Sequence, residues 1–423
     1  MHHFNYINGV LHAEDVDIAR LAKEVGTPFY CYSTATLTRH YEVFARAFDG
    51  MDGHVFFAMK ANSNQAIIKT LGDLGAGMDV VSMGEIKRAL SAGVAPDKII
   101  FAGVGKTRDE MAFALDVGIF GFNVESEPEL LALNEVALSK GAVANVALRI
   151  NPDVDPKTHA KISTGKAENK FGIPFDGAAA LYDRAAKMEG ISATGIHMHI
   201  GSQITDLEPF RDAFMLMREL VLELRARGHV INHLDLGGGL GVPYRGTNDI
   251  PPHPDEYAAV VRETVGDLGC SMMFEPGRLI AGNSGILVSR VIFVKEGEAK
   301  RFVIVDGAMN DLIRPTLYEA HHDILPVVEP DASAPLEMAD VVGPVCETGD
   351  YLAQGRELPP FNEGDLISVM TAGAYGAVHS GTYNSRLLVP EVLVNGADYA
   401  VIRPRQSYED LIALDVLPDW LTG

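Results

Sequence analysis

The feature that most constrains this chain is a rhythm running through its middle. Short apolar runs alternate with longer amphipathic ones from Val55 to Glu275. The runs Val55–Lys60, Met78–Val81, Ile99–Gly103, Gly121–Val124, Val146–Asn151, Gly195–Ile200, His233–Gly237 and Met272–Glu275 read as strands. Between them the spacing is helical. Gln65–Leu74 carries Ala66, Ile67, Leu71 and Leu74 on one stripe, and Leu207–Arg227 spaces Phe210, Phe214, Met217, Leu220, Val221 and Leu224 at helical intervals. Eight strands, each followed by a helix, predict a (β/α)8 barrel with a parallel sheet.

The rhythm stops after about Ala281. Ile286–Val294, Arg301–Val305, Leu366–Thr371, Val389–Val394 and Tyr399–Ile402 read as strands with no comparable helices between them. The expected fold is therefore α/β: a TIM-like barrel over residues 29–281 and a second, mostly β domain formed by residues 1–28 and 282–423. One helix is expected over Ala13–Val25, and Thr27-Pro28 leads into an extended run, Phe29–Ser33. The proline-containing, acidic stretch Pro326–Leu336 reads as a loop.

A chain of 423 residues can bury a large core, and a net charge of -22 argues against a nucleic-acid partner, which needs a basic face. Three cysteines, Cys31, Cys270 and Cys346, do not build a disulfide framework. No apolar run reaches membrane-spanning length, and Met1-His2-His3-Phe4-Asn5 does not open a signal peptide, so a cytoplasmic enzyme is expected.

Barrels carry their chemistry at the C-terminal ends of the strands. The unusual polar residues fall there repeatedly: Lys60 after the first strand, Asp79 and Ser82 at the second, Asn151 at the fifth, His197 and His199 at the sixth, Gly237–Gly241 at the seventh, Glu275–Arg278 at the eighth. Lys60 is either a lysine snorkelling to the surface or, if desolvated, a Schiff-base nucleophile. The Gly237–Gly241 run fits neither a P-loop nor a dinucleotide fingerprint. It either makes a tight turn or turns backbone N–H groups toward a phosphate, and the loops after strands seven and eight are where barrels often bind one. Glu275 can pair with Arg278 at the surface or face the nitrogen of a pyridine cofactor and hold it protonated. His197 and His199 can be core histidines, a metal pair, or, for His199, a plate stacked on a flat cofactor. Cys31 and Cys270 read as small hydrophobes, whereas Cys346, among glycines and acids in Gly343–Asp350, reads as a proton donor.

Together these motifs resemble the fold-type III pyridoxal-phosphate (PLP) decarboxylases, the group with alanine racemase and the ornithine, arginine and diaminopimelate decarboxylases. The resemblance runs from Gly26-Thr27-Pro28 to Glu391-Val392-Leu393, and the segment Asp306–Tyr318 is its most specific part, with Gly343–Asp350 and Ala372–Gly376 adding to it. The Asp306–Tyr318 segment is similar to the substrate-selecting stretch of the members that act on meso-2,6-diaminopimelate. The resemblance implies decarboxylation of that substrate at its D-centre, giving L-lysine and CO2. It also implies PLP as cofactor, no metal, and a homodimer with shared active sites.

Carried over residue by residue, Lys60 holds PLP, His199 stacks on its ring and Glu275 pairs with the ring nitrogen. Asp79 belongs to the same cofactor site, while Ser202, Gly238, Gly239, Gly277 and Arg278 surround the phosphate. Arg278, Arg314, Tyr318 and Tyr375 reach the substrate, Tyr375 also touching PLP. Cys346 as acid and Glu347 as grip on the distal ammonium come from the partner subunit. One departure is local: Asn384-Ser385-Arg386 runs into Leu387-Leu388-Val389-Pro390, where the family often has further prolines. Three alternatives remain at this point: a metal-dependent hydrolase using His197 and His199, a PLP-binding protein without catalysis, and a relative acting on another basic amino acid.

Overall fold

The computed structural model describes every residue except 1, 157, 159, 163, 166–169, 246–249, 299, 332 and 423. The chain divides into two units, one of Leu37–Pro243 with Thr247–Ala281, the other of Met1–Thr36, Tyr244–Gly246 and Gly282–Gly423. Among the described residues no helix is long and apolar enough to cross a membrane.

The first unit is a closed barrel. Its strands, numbered along the chain, are β1 (Gly53–Ala58), β2 (Gly77–Val80), β3 (Ile99–Phe101), β4 (Gly121–Val124), β5 (Ala144–Asn151), β6 (Ile191–His197), β7 (His233–Asp235) and β8 (Ser271–Phe274). Each pairs in parallel with the next, and β8 pairs with β1 to close the ring. Helices follow β1 to β7, several of them capped as their sequences require. Ser82 accepts a hydrogen bond from the Glu85 N–H at the start of Met83–Ser91, and Thr107 and Glu110 form a reciprocal capping box. Ser82 is thus a cap.

The eighth strand departs from the expected pattern, because only the four-residue helix Arg278–Ala281 follows it. The helix Thr34–Arg46, which precedes β1, covers its outer face instead. Phe44 of that helix meets the Phe274 ring edge-on with 5.9 Å between centroids, and Phe48 stacks on the same ring at 3.9 Å. Phe274 points outward into this cluster, so period-two alternation turns its neighbours Met273 and Glu275 toward the barrel axis.

The second unit is a sheet-rich domain whose central strand is Phe29–Ser33. This corrects the expected boundary at residue 29. The strand pairs antiparallel with Gly285–Glu296 and parallel with Glu391–Asn395. All five of its residues are buried. Phe29 and Cys31 join an apolar cluster with Ile286, Val288, Val392 and Val394, while Tyr32 donates to Glu391 Oε2 at 2.6 Å on the other face. A strand buried on both faces belongs in the middle of a sheet. The expected helix Ala13–Val25 is shorter, Ile18–Val25. Val10–Ala13 and Val16–Asp17 form strands, and Asp17 caps the helix by accepting from the Arg20 N–H at 2.9 Å. Glu337–Val342 and Tyr351–Leu358 add an antiparallel pair that the sequence reading missed.

Phe274 anchors three aromatic neighbours and is fully buried. Phe274→Ala is expected to cost about 3–5 kcal/mol through lost burial and the cavity left behind. The cost should appear as a lowered thermal midpoint, and an unchanged midpoint would contradict the packing described.

Candidate active site

The 3-10 turn Met59–Ala61 directly after β1 lifts Lys60 onto the C-terminal rim of the barrel. Its Nζ lies 3.4 Å from Oδ2 of Asp79 on β2. The lysine side chain is 39% exposed and that of the aspartate is fully buried. Burial, reinforced by Glu275, pushes the Asp79 carboxyl up to about 7 against the pull of Lys60. Its Oδ1 is buried without a hydrogen-bond partner among the described residues.

Opposite them stand the two histidines, which have separate partners. His199 Nδ1 accepts from the Gly238 N–H at 3.3 Å, which leaves its proton on Nε2. Burial, then Lys60 and Arg149, hold it well below the usual imidazole range, so it is a neutral ring. His197 Nε2 lies 3.3 Å from Glu275 Oε2, and Asn123 Nδ2 donates to Glu275 Oε1 at 3.1 Å. Burial alone would raise Glu275, yet the His197 imidazole at its Oε2 and the charge of Lys60 outweigh it and hold this buried carboxyl below the ordinary range. A carboxylate kept ionised in a dry barrel is suited to face a protonated ring nitrogen.

The loops after β6, β7 and β8 form a cradle with little room for side chains. Gly237 and Gly239 have φ of 65° and 121°. A Cβ on Gly238 would sit 2.3 Å from the Glu275 carbonyl oxygen, and one on Gly239 2.5 Å from that of Gly201. At Gly277 a Cβ would press on Ala61 and Ala58 at 3.0 and 3.1 Å. Beside them Arg278, buried, donates from Nε and Nη2 to Ser202 Oγ at 3.3 and 3.1 Å. Gln203, which the sequence reading passed over, ties two of these loops together: its Nε2 donates to Val242 O at 2.7 Å, and its Oε1 accepts from the Val242 N–H at 3.1 Å. Asn123, inside the otherwise apolar β4, and Asp235, at the end of β7, were also missed. Amine, flat neutral imidazole, buried carboxylate, glycine cradle and arginine fit a phosphorylated pyridine aldehyde.

The barrel unit thus brings together Lys60, Asp79, His199, Ser202, Gly238, Gly239, Glu275, Gly277 and Arg278. The remaining expected residues, Arg314, Tyr318, Cys346, Glu347 and Tyr375, lie in the second unit. There Arg314 is buried, stacked over the Tyr244 ring at 4.4 Å, and its Nη1 lies 2.7 Å from His322 Nε2. Tyr318 closes the short helix Arg314–Tyr318 and is half-buried. Asp350 joins the two motifs of this unit by accepting from the Met309 and Val345 N–H groups, both at 2.6 Å. Cys346 and Glu347 are exposed on the loop so fixed, with the Cys346 N–H donating to Asn384 Oδ1 at 2.8 Å. Tyr375 has a left-handed backbone, φ 56°, and its carbonyl lies 3.1 Å from His379 Nδ1.

The metal-hydrolase alternative fares poorly. The one group of three converging donor side chains among the described residues is His197, Asp235 and Glu275, and His199 is not in it. Hydrogen bonds among these groups account for their closeness.

Residues 34–282 match the family described as pyridoxal-dependent decarboxylase, pyridoxal binding domain. A diaminopimelate decarboxylase of Zymomonas mobilis is 48% identical over 421 residues, covering 99% of each chain. One of Pseudomonas aeruginosa is 49% identical over 97% of this chain and 98% of its own. Among solved structures, diaminopimelate decarboxylase from Helicobacter pylori complexed with L-lysine is similar with a TM-score of 0.90 at 39% identity, covering 94% of this chain and 99% of that one.

Asp311, in the Asp306–Tyr318 segment, offers a pH test. Burial pushes its carboxyl up to about 7, with Asp306 and Asp350 adding to the rise and the Ala308 N–H and Arg386 opposing it. A raised folded value means that folding favours the protonated form. The stability it contributes is complete below the ordinary value of 3.8 and is lost as pH rises through about 7. Asp311→Asn lacks this dependence, so its deficit relative to the wild type should be larger at about pH 5 than at about pH 8 in urea unfolding. A deficit that grows with pH would refute the assignment.

Proposed function

The chain belongs to the pyridoxal-dependent decarboxylase family, in its diaminopimelate decarboxylase branch, and we propose that it converts meso-2,6-diaminopimelate to L-lysine and CO2 by removing the carboxylate at the D-centre. The observation that carries this reading is the convergence of Lys60, Asp79, His199 and Glu275 beside the glycine cradle on one rim of the barrel. The diaminopimelate decarboxylases matched along nearly the whole chain supply the substrate.

Bound PLP supplies an electron sink for the pair left behind when CO2 departs. The chain's own residues do the rest. Lys60 would hold the cofactor. His199 would lay its neutral ring against the cofactor's face, and Glu275 would keep a proton on its ring nitrogen. Ser202, Gly238, Gly239, Gly277 and Arg278 hold the phosphate. Arg278, Arg314, Tyr318 and Tyr375 reach the substrate, Arg314 and Tyr318 at a carboxylate and its neighbouring groups, and Glu347 grips its distal ammonium. Cys346 or Lys60 returns a proton to the carbon. Fixing two charged ends at one separation places the scissile bond, the orientation effect that recognition far from the reacting carbon provides.

Parallel assays of CO2 release from meso-diaminopimelate, ornithine, arginine and lysine test this. Turnover should be highest with meso-diaminopimelate, and equal or faster release from ornithine would reject the proposal.

The enzyme acts in the cytoplasm as a homodimer in which the loop bearing Cys346 and Glu347 completes the site around the other subunit's Lys60. The exposure of both side chains on a pinned loop supports this. Lys60→Ala and Cys346→Ala should each be nearly inactive. Mixing them lets about half the dimers form as hybrids with one intact site each, so roughly a quarter of wild-type activity should return. Hybrids confirmed by mass that stay inactive would show that both residues serve one subunit's site.

A further inference from the structure

Beneath Glu275 the barrel holds a second carboxyl that the reaction described above does not use. Asp235 ends β7, adjacent to the strand that Glu275 follows, and both are buried. A single nitrogen on β4 serves the two of them: Asn123 Nδ2 lies 3.2 Å from Asp235 Oδ2 and 3.1 Å from Glu275 Oε1. The remaining oxygens have one donor each, the Gly237 N–H for Asp235 at 2.9 Å and His197 Nε2 for Glu275 at 3.3 Å. One donor atom from each of His197, Asp235 and Glu275 lies within 4.8 Å of the others.

Two carboxyls this close in a dry interior do not both ionise. Their surroundings say which keeps the charge. Glu275 has an imidazole on one oxygen, with the charge of Lys60 acting on it from the rim. Asp235 accepts from two neutral amides, those of Asn123 and Gly237, and burial followed by the charge of Glu275 drives it well above the usual carboxylate range. The buried Nδ1 of His197 has no hydrogen-bond partner among the described residues. A bare lone pair there costs less than a stranded N–H, so its proton sits on Nε2, aimed at Glu275. Below lies a cavity of about 20 Å³, lined by Phe120, Asn145 and His233 at the N-terminal ends of the strands and by Asn123 and Asp235 further in. It has room for one water against these polar groups.

We propose that Asp235 is a positioning residue that keeps its proton, so that Asp235, Asn123 and His197 together hold Glu275 as the single carboxylate under the cofactor ring. This rests on Glu275 as the partner of the ring nitrogen. A neutral Asp235 adds a hydrogen bond to Glu275 without adding a competing charge. An ionised one would repel Glu275 and draw the ring's proton toward a site off the reaction axis.

The holoenzyme and its Asp235→Asn, Asp235→Ala and Glu275→Gln variants test this by infrared spectroscopy and steady-state kinetics. The wild-type minus Asp235→Asn difference spectrum should show a protonated-carboxyl C=O band that shifts in deuterated water, the contributions of Asp79 and Asp311 being common to both proteins and cancelling. Asp235→Ala should lose about thirtyfold in kcat with KM little changed, and Asp235→Asn, which keeps a neutral donor, should recover most of that loss. Should the alanine variant fail to fold, the infrared band and the kinetics of the asparagine variant decide. Absence of the band, or an asparagine variant reduced about thirtyfold or more, overturns the proposal while leaving the role of Glu275 intact if Glu275→Gln is inactive. A Glu275→Gln variant with wild-type kcat overturns the underlying reading, and this proposal with it.

Discussion

A closed ring of eight parallel strands excludes bulk water from its interior, so a charge that points inward must find its compensation inside the ring. The barrel unit obeys this constraint at several depths. Lys106 Nζ, almost fully buried, is wrapped by Gly103 O, Asn123 O and Glu129 Oε1, all at 2.7 Å. Arg149 pairs with Glu125 at 2.9 Å, both buried, and stacks on the Phe171 ring at 4.8 Å. Asp79 leans on Lys60, and Glu275 on His197. Removing one member of such a pair strands the other, typically at about 3–5 kcal/mol. These pairs hold one another in place, and Glu275 reaches the rim oriented before any ligand arrives.

The same constraint explains the glycines. Once the charged groups are fixed, the loops must approach them closely enough to leave no gap. Gly238 runs against the backbone that carries Glu275, and Gly239 against Gly201. The backbone N–H of Gly238 is thereby free to fix the tautomer of His199, and that of Gly237 to bond Asp235. One turn therefore shapes a cradle, sets an imidazole and closes the network under Glu275.

The barrel and most of the residues gathered on its rim were legible because lysine, histidine, glutamate and arginine stand out at the ends of apolar strands. Lys60, His199, Glu275 and Arg278 all fall in that position. What stayed hidden depends on which face of a short strand turns inward. Asn123 sits inside a strand of four residues and Asp235 ends one of three, both too short for alternation to reveal a face. Phe29–Ser33 reads as extended, but its place is decided by pairing with a strand some 360 residues on, as the Tyr32–Glu391 bond records. Tyr351–Leu358 carries Gln354, Gly355 and Arg356, so it lacks the apolar signal of a strand. Its pairing with Glu337–Val342 is a property of the folded sheet.

The second unit solves a different problem. Cys346 and Glu347 are exposed, so burial cannot fix them as it fixes Glu275. Backbone hydrogen bonds to two neighbouring side chains do so instead. Asp350 grips Val345 on one side and Met309 on the other, and Asn384 holds Cys346 by its N–H. Asn384 itself has φ of 58°, a conformation asparagine tolerates better than most residues. The departure from the family's usual prolines just after Asn384-Ser385-Arg386 therefore leaves the anchor of the loop untouched. In the role proposed for Cys346, a thiol that gives a proton to a carbon outside its own loop must be both accessible and aimed. Exposure of the side chain with restraint of the backbone meets both needs, whereas a buried thiol such as Cys31, pushed far above its ordinary range by burial, meets neither.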